Sequence, residues 1–72
     1  MRIVVDGAAS ARLVADDGHT LPLTPPARYA FAYADGAATI VCSGEAPVDG
    51  FWDWRFSVDP RTGALERLGP AY

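Results

Sequence analysis

The sequence predicts an all-β fold, a small antiparallel meander of six or seven short strands curled into a barrel or a sandwich. Two observations carry this prediction: side chains alternate in short segments, and turn residues separate these segments every several positions. The clearest alternation spans residues 51–58, where Trp52, Trp54, Phe56 and Val58 share one face. We expect this segment to be the central strand, with its heavy rings in the core.

Length and composition indicate one small folded domain over residues 1–72. Half of the residues are hydrophobic, 21% are charged and the net charge is −3, which argues against disorder. A chain of this size buries only roughly 60% of its unfolded surface. One cysteine and one histidine cannot form an internal disulfide or a tetrahedral zinc site, so we expect no metal and no cofactor. Self-association is the stabiliser that we expect instead.

The first part of the chain contains three predicted strands and one hairpin. Asp17-Gly18 lies between two apolar segments, a pattern that favours a two-residue type I′ turn. Such a turn would pair Val14 with Leu21. Pro22 has no N–H for a ladder and therefore predicts an edge strand. The expected strands are residues 2–6, 11–16 and 19–23.

The middle of the chain contains a second predicted hairpin, residues 28–34 and 37–43, around Asp35-Gly36. With these two residues as the loop, Phe31 faces Ile40 and Tyr29 faces Cys42 on one bulky side.

The remaining segments are a predicted loop and a return strand. Residues 44–50 have Gly at both ends and Pro inside, which is typical of a loop. Pro60 and Gly63 suit a hairpin turn, so residues 64–68 form a last strand. A short helix is the alternative there, because Ala, Leu, Glu and Arg are good helix formers.

The reverse side of the second hairpin is small and flat, and it is the candidate contact surface. A sheet with bulk on one face and small apolar groups on the other can meet a second sheet closely. Intramolecular cover and an intersubunit contact are equally consistent with this pattern. The candidate interface residues are Ala30, Ala32, Ala34, Thr39 and Val41.

Aromatic side chains give a second hypothesis, a platform that stacks a small ligand or a carbohydrate. The candidate ligand-binding residues are Trp52, Trp54, Tyr29 and Tyr33. Most such rows in a small sheet protein belong to the core instead.

Catalytic groups are sparse, and we expect no enzyme. Asp16, Asp17 and His19 are close in sequence, but the same residues serve as turn and solvated side chains. Cys42 or Ser43 with His19 would be the only nucleophilic routes, and no nucleophile elbow or oxyanion-hole loop accompanies them.

These observations favour a non-catalytic β protein that works by protein–protein contact, as an adaptor, a small subunit or an inhibitor of a larger assembly, including a phage-type accessory protein. We expect a homo-oligomer and another protein of unknown identity as partners. No basic patch is present for nucleic acid, and no apolar stretch approaches transmembrane length. The cytoplasm is therefore the expected location.

Overall fold

The computed structural model describes residues 1–71 as seven antiparallel β-strands, which confirms the all-β prediction. No helix in this part of the chain has the length and hydropathy needed to cross a bilayer. The strands are β1 (Arg2–Gly7), β2 (Ser10–Val14), β3 (Thr20–Leu23), β4 (Tyr29–Ala34), β5 (Thr39–Val48), β6 (Phe51–Val58) and β7 (Leu65–Pro70).

The strands form two sheets, one of three strands in the order β1-β2-β3 and one of four in the order β4-β5-β6-β7. They do not close into a barrel, and their apolar faces share one core. The Phe31 N–H donates to the Ala8 carbonyl at 2.7 Å, which joins the two sheets along one side. The core residues are Ile3, Ala11, Leu13, Leu23, Phe31, Ile40, Cys42, Trp54, Phe56 and Val58.

The hairpin of β2 and β3 forms, but the two-residue turn predicted for it is wrong. Leu13 lies opposite Leu21, so the register differs by one residue from the expected one. The Gly18 N–H donates to the Ala15 carbonyl at 3.0 Å, and the Ala15 N–H to the His19 carbonyl at 2.8 Å. Gly18 has a φ of +92°. This is a three-residue loop that ends in a left-handed glycine.

The hairpin of β4 and β5 also has a register that differs from the predicted one. Phe31 pairs with Cys42 rather than with Ile40. The register then shifts between Phe31 and Tyr33, so Ala32 is an extra residue in a β-bulge. Tyr33 lies opposite Val41, and its side chain therefore leaves the core face.

The loop predicted over residues 44–50 is wrong, because β5 continues to Val48. The turn is only Asp49-Gly50, with φ of +50° and +84°, and Val48 pairs with Phe51 across it. Positive φ at both central residues is the mark of a type I′ turn. Of the four Asp-Gly pairs in the sequence, this is the one with positive φ at both residues. Four residues of β5, 44–47, lie opposite the single residue Trp52 of β6, and we call this segment the wide bulge.

The last strand, β7, confirms the strand prediction over the helical alternative, although it begins and ends later than expected. In the turn before it, the Gly63 N–H donates to the Asp59 carbonyl at 2.7 Å, and Gly63 has a φ of +78°. β6 occupies the predicted residues 51–58. Trp54 is buried as expected, whereas Trp52 is 55% exposed, so its predicted core position is wrong.

Candidate functional site

Two surfaces of the four-stranded sheet are candidates for function. The first is its outer face, defined as the side opposite the shared core. Residues directly opposite each other on neighbouring strands share a face. Three rows of such residues cross the outer face: Ala30, Ser43 and Asp53; Tyr33, Val41, Arg55 and Gly69; and Thr39, Ser57 and Glu66.

Val41 lies at the centre of this outer face and is fully buried, although it is outside the core. The Arg55 Nε donates to the Asp35 carboxylate. Arg55 is on β6 and Asp35 follows β4, with β5 between them. The arginine stem therefore crosses β5 and covers the valine, while Tyr33 lies at its other side.

The candidate interface residues do not all lie on one face as predicted. Ala30, Thr39 and Val41 share the outer face, where the first two are half-buried. The bulge residue Ala32 is exposed. Ala34 pairs with Ile40, so the bulge has moved it to the opposite side of the sheet.

Two large apolar side chains stand at the opposite edges of the outer face. Tyr33 on β4 is 49% exposed and Leu68 on β7 is 56% exposed. Leu68 is the extra residue in the β7 bulge, next to Gly69 in the central row. Val41, Ser43, Thr39 and Ser57 between these edges are small, whereas Arg55 and Glu66 are long. Two serines donate hydrogen bonds within the sheet. Ser43 Oγ, for example, donates to Asp53 Oδ1 at 2.8 Å.

The second candidate is a cavity of about 420 Å³ that we call the bulge pocket. It is lined by the turn before β4, by the wide bulge of β5 and by β7. None of its lining residues comes from β1, β2 or β3. The residues that matter for its chemistry are Arg28, Tyr29, Glu45, Pro47, Val48 and Arg67.

Tyr29 gives the wall of the bulge pocket an aromatic part, and rings that do not line the pocket pack against Tyr29 and Arg67. The Tyr29 ring packs edge-on against Phe56, with ring centroids 5.2 Å apart. The Arg67 guanidinium carbon lies 4.5 Å from the centroid of the Trp54 ring, a cation–π contact. Trp54 Nε1 donates to the Phe51 carbonyl at 3.0 Å, which fixes the indole.

Three features of the bulge pocket are unusual. The Tyr29 hydroxyl is buried and has no hydrogen-bond partner among the described residues. Arg28 has a φ of +69° at the third position of a turn closed by a bond from the Tyr29 N–H to the Pro26 carbonyl. That position usually requires glycine. Within residues 1–71, neither Arg28 nor Arg67 forms an ion pair.

The four aromatic candidates for ligand binding are not brought together. Tyr29 lines the bulge pocket, and Trp54 lies buried beneath Arg67. Tyr33 is on the outer face, and Trp52 is exposed opposite the wide bulge. Arg28 and Arg67 were not among the residues predicted from the sequence. No spacing signal joins them, because they lie 39 positions apart, one in the turn before β4 and the other on β7.

The possible catalytic groups differ in burial. Cys42 is fully buried, and burial raises the pKa of its thiol to about 11. His19 lies in an exposed loop, where its Nδ1 is 2.7 Å from Asp17 Oδ2. Hydrogen bonds from the His19 backbone and side chain lower the pKa of Asp17. Asp16 bonds the N-terminal ammonium instead. Residues 1–71 contain no group of three potential metal ligands.

Comparison with known proteins gives no relative from which to infer function: no family model, curated protein or solved structure matches the chain.

Proposed function

We propose that this protein is a non-catalytic β module that works through protein contact, and that it pairs with a second copy of itself through the outer face. The observation that carries the proposal is the placement of Tyr33 and Leu68. Both are large, apolar and about half exposed, and they stand at opposite edges of a face on which small side chains surround the Arg55 side chain. Small side chains let a second sheet approach to about 10 Å.

The outer face is self-complementary under a two-fold axis. Consider a two-fold axis in front of the outer face that runs parallel to the strands and is level with the gap between β5 and β6. A rotation of 180° then places β4 of one copy against β7 of the other. Tyr33 of one copy faces Leu68 of the other, twice in the dimer. Of the polar side chains that the contact would bury, Arg55 in the central row donates to Asp35 and Ser43 in a flanking row donates to Asp53 within each copy, which limits the number of unpaired groups.

The size of the face sets the strength of the pairing. Four strands spaced about 4.8 Å apart and roughly six residues long cover about 400 Å² in projection. Stable interfaces bury about 800 Å² per partner. We therefore expect association in the high micromolar range rather than a permanent dimer. Such a module fits the role of a small subunit or an adaptor, in which pairing is switched by local concentration.

Sedimentation equilibrium over low to high micromolar concentrations tests the proposal. The apparent mass of the wild type should rise from 7.7 kDa towards twice that value. Leu68→Glu should weaken the association by about tenfold or more, since it places a carboxylate in an apolar contact. Trp52→Ser is the matched control: Trp52 is equally exposed but lies outside the rows of the outer face. This control should associate like the wild type.

Two outcomes contradict parts of the proposal. A wild type that stays at the monomer mass at high micromolar concentration removes the self-association. If the wild type then captures a host protein and Leu68→Glu does not, the proposed contact with another protein through the outer face still holds. Association that Trp52→Ser disrupts and Leu68→Glu does not would assign the contact to a different surface.

Small-ligand binding is the second candidate function, and the bulge pocket is the observation that favours it. Its volume falls within the range of ordinary ligand sites.

A further inference from the structure

We infer that the bulge pocket binds a small molecule with one carboxylate and an apolar or aromatic body. The inference deepens the second candidate function and is independent of the outer face. The pocket exists because the three-stranded sheet is narrower than the four-stranded one. Tyr29 and Arg67 belong to the core side of the larger sheet, yet β1–β3 do not cover them there.

The charges of the pocket select an anion. Arg28 and Arg67 line it, and no carboxylate within residues 1–71 pairs with either guanidinium. A guanidinium bonds a carboxylate through two parallel N–H donors. Arg67 is also held in place by its contact with Trp54. A fixed guanidinium loses less conformational freedom when a ligand binds.

Glu45 limits the charge of the ligand. Among the described residues that line the pocket it is the one acidic residue, so the side chains of Arg28, Glu45 and Arg67 sum to one positive charge. The Glu45 N–H donates to the Arg28 carbonyl at 2.9 Å, which fixes both residues at the same rim. A single carboxylate leaves the occupied pocket neutral, whereas a dianionic phosphate leaves it with one negative charge and loses more hydration when it enters. The pocket therefore favours monocarboxylates over phosphate monoesters.

The strain in the pocket wall supports a binding role. Arg28 adopts a left-handed backbone that glycine would adopt without cost, and strain of this kind concentrates at ligand sites. The Tyr29 hydroxyl is a buried donor without a partner among the described residues, and such an exception calls for an explanation, of which a bound water or ion is one. Tyr29, Pro47 and Val48 supply the apolar wall against which the body of the ligand would pack.

An NMR titration of the ¹⁵N-labelled full chain tests the inference, with benzoate as the probe and benzamide as its neutral match. Benzoate should shift the backbone amides of Arg28, Glu45 and Val48 in a saturable way, and benzamide should not. Arg67→Gln and Arg28→Asn should each weaken benzoate binding by about tenfold. Asn tolerates the left-handed backbone at residue 28, so this variant should stay folded. Arg61→Gln, in a turn outside the pocket, is the control that leaves affinity unchanged.

Phenyl phosphate tests the selectivity that we assign to Glu45. It should bind more weakly than benzoate in the wild type, and Glu45→Gln should reduce that difference. Equal responses to benzoate and benzamide would overturn the inference, as would the absence of a saturable shift in a folded chain. Retained affinity in Arg67→Gln would overturn the assigned role of the guanidinium. None of these results bears on the mass measured by sedimentation, so this inference and the outer-face contact fail separately.

Discussion

Replacement of Gly50 by Ala tests whether the Asp49-Gly50 turn controls the pairing of β5 with β6. Gly50 has a φ of +84°, and an added Cβ would meet no heavy atom within 4 Å. The cost is therefore conformational and not steric. A left-handed L-residue costs about 1–2 kcal/mol. Alanine also has less conformational freedom than glycine in the unfolded chain, which stabilises the folded state by about 0.4–1 kcal/mol. The free energy of unfolding should fall by about 1 kcal/mol.

Gly7→Ala is the matched control for this substitution. Gly7 also has open space around an added Cβ, but its φ lies outside the left-handed region. This variant should gain about 0.4–1 kcal/mol from the unfolded state. The two variants should thus differ by about 1–2 kcal/mol, which shifts the midpoint of thermal unfolding by about 5–15 °C in a chain of this size.

Urea denaturation followed by circular dichroism measures the difference between these two variants. A chain of this length has a total stability of about 4–10 kcal/mol, so 1 kcal/mol is readily resolved. If Gly50→Ala proves as stable as Gly7→Ala, residues 49–50 do not form the left-handed turn described above. The register of the wide bulge and of the bulge pocket would then also need revision.

Three further predictions concern single side chains. Burial raises the pKa of the Cys42 thiol from its ordinary 9.0 to about 11. The stability that comes from burying the neutral thiol should therefore be complete below pH 9 and lost between pH 9 and about 11. Urea denaturation of the wild type and of Cys42→Ala at several pH values measures this loss as a difference in the free energy of unfolding. Arg55→Ala should cost about 1 kcal/mol because it uncovers Val41, whereas Arg55→Met keeps the aliphatic cover and should cost less than half as much in the same assay. Tyr29→Phe removes a buried hydroxyl that has no partner within residues 1–71. The free energy of unfolding should stay unchanged or rise by about 1 kcal/mol, and a clear loss would mean that the hydroxyl has a partner.

The register of β2 and β3 could have been predicted from the core pattern alone. The two-residue turn would place Arg12 opposite Leu23 and carry the charged side chain towards the core. The observed register pairs Ala11 with Leu23 and turns Arg12 outward to Asp6. Burial of a row of leucines outweighs the local preference of an Asp-Gly pair, because one slipped residue inverts every side chain.

The long β5 strand could not be predicted from turn signals. Gly44 and Pro47 are typical of a loop, yet they lie in the bulge, where β5 is not paired with β6 and a proline breaks no ladder bond to that strand. An added Cβ at Gly44 would lie 3.0 Å from the Ala46 carbonyl oxygen and 3.2 Å from the Trp52 carbonyl oxygen, closer than ordinary contacts. The contact with Trp52 comes from the neighbouring strand, and no local pattern contains it.

The bulge pocket was only partly accessible to sequence analysis. Tyr29 was among the predicted ligand residues, because alternation places aromatic rings on a common face. The pocket itself arises where the smaller sheet ends, which depends on how the two sheets overlap. Arg28 and Arg67 line the same pocket only because of that overlap, so their spacing in the chain carries no signal.

An isotope-filtered NOE experiment tests the outer-face pairing most directly. It uses an equal mixture of ¹³C-labelled and unlabelled chains at high micromolar concentration. The two-fold arrangement predicts intermolecular NOEs between the Tyr33 ring of one copy and the Leu68 methyl groups of the other. An associated sample that lacks these NOEs, with contacts at Trp52 or on β1–β3 instead, would contradict the proposal.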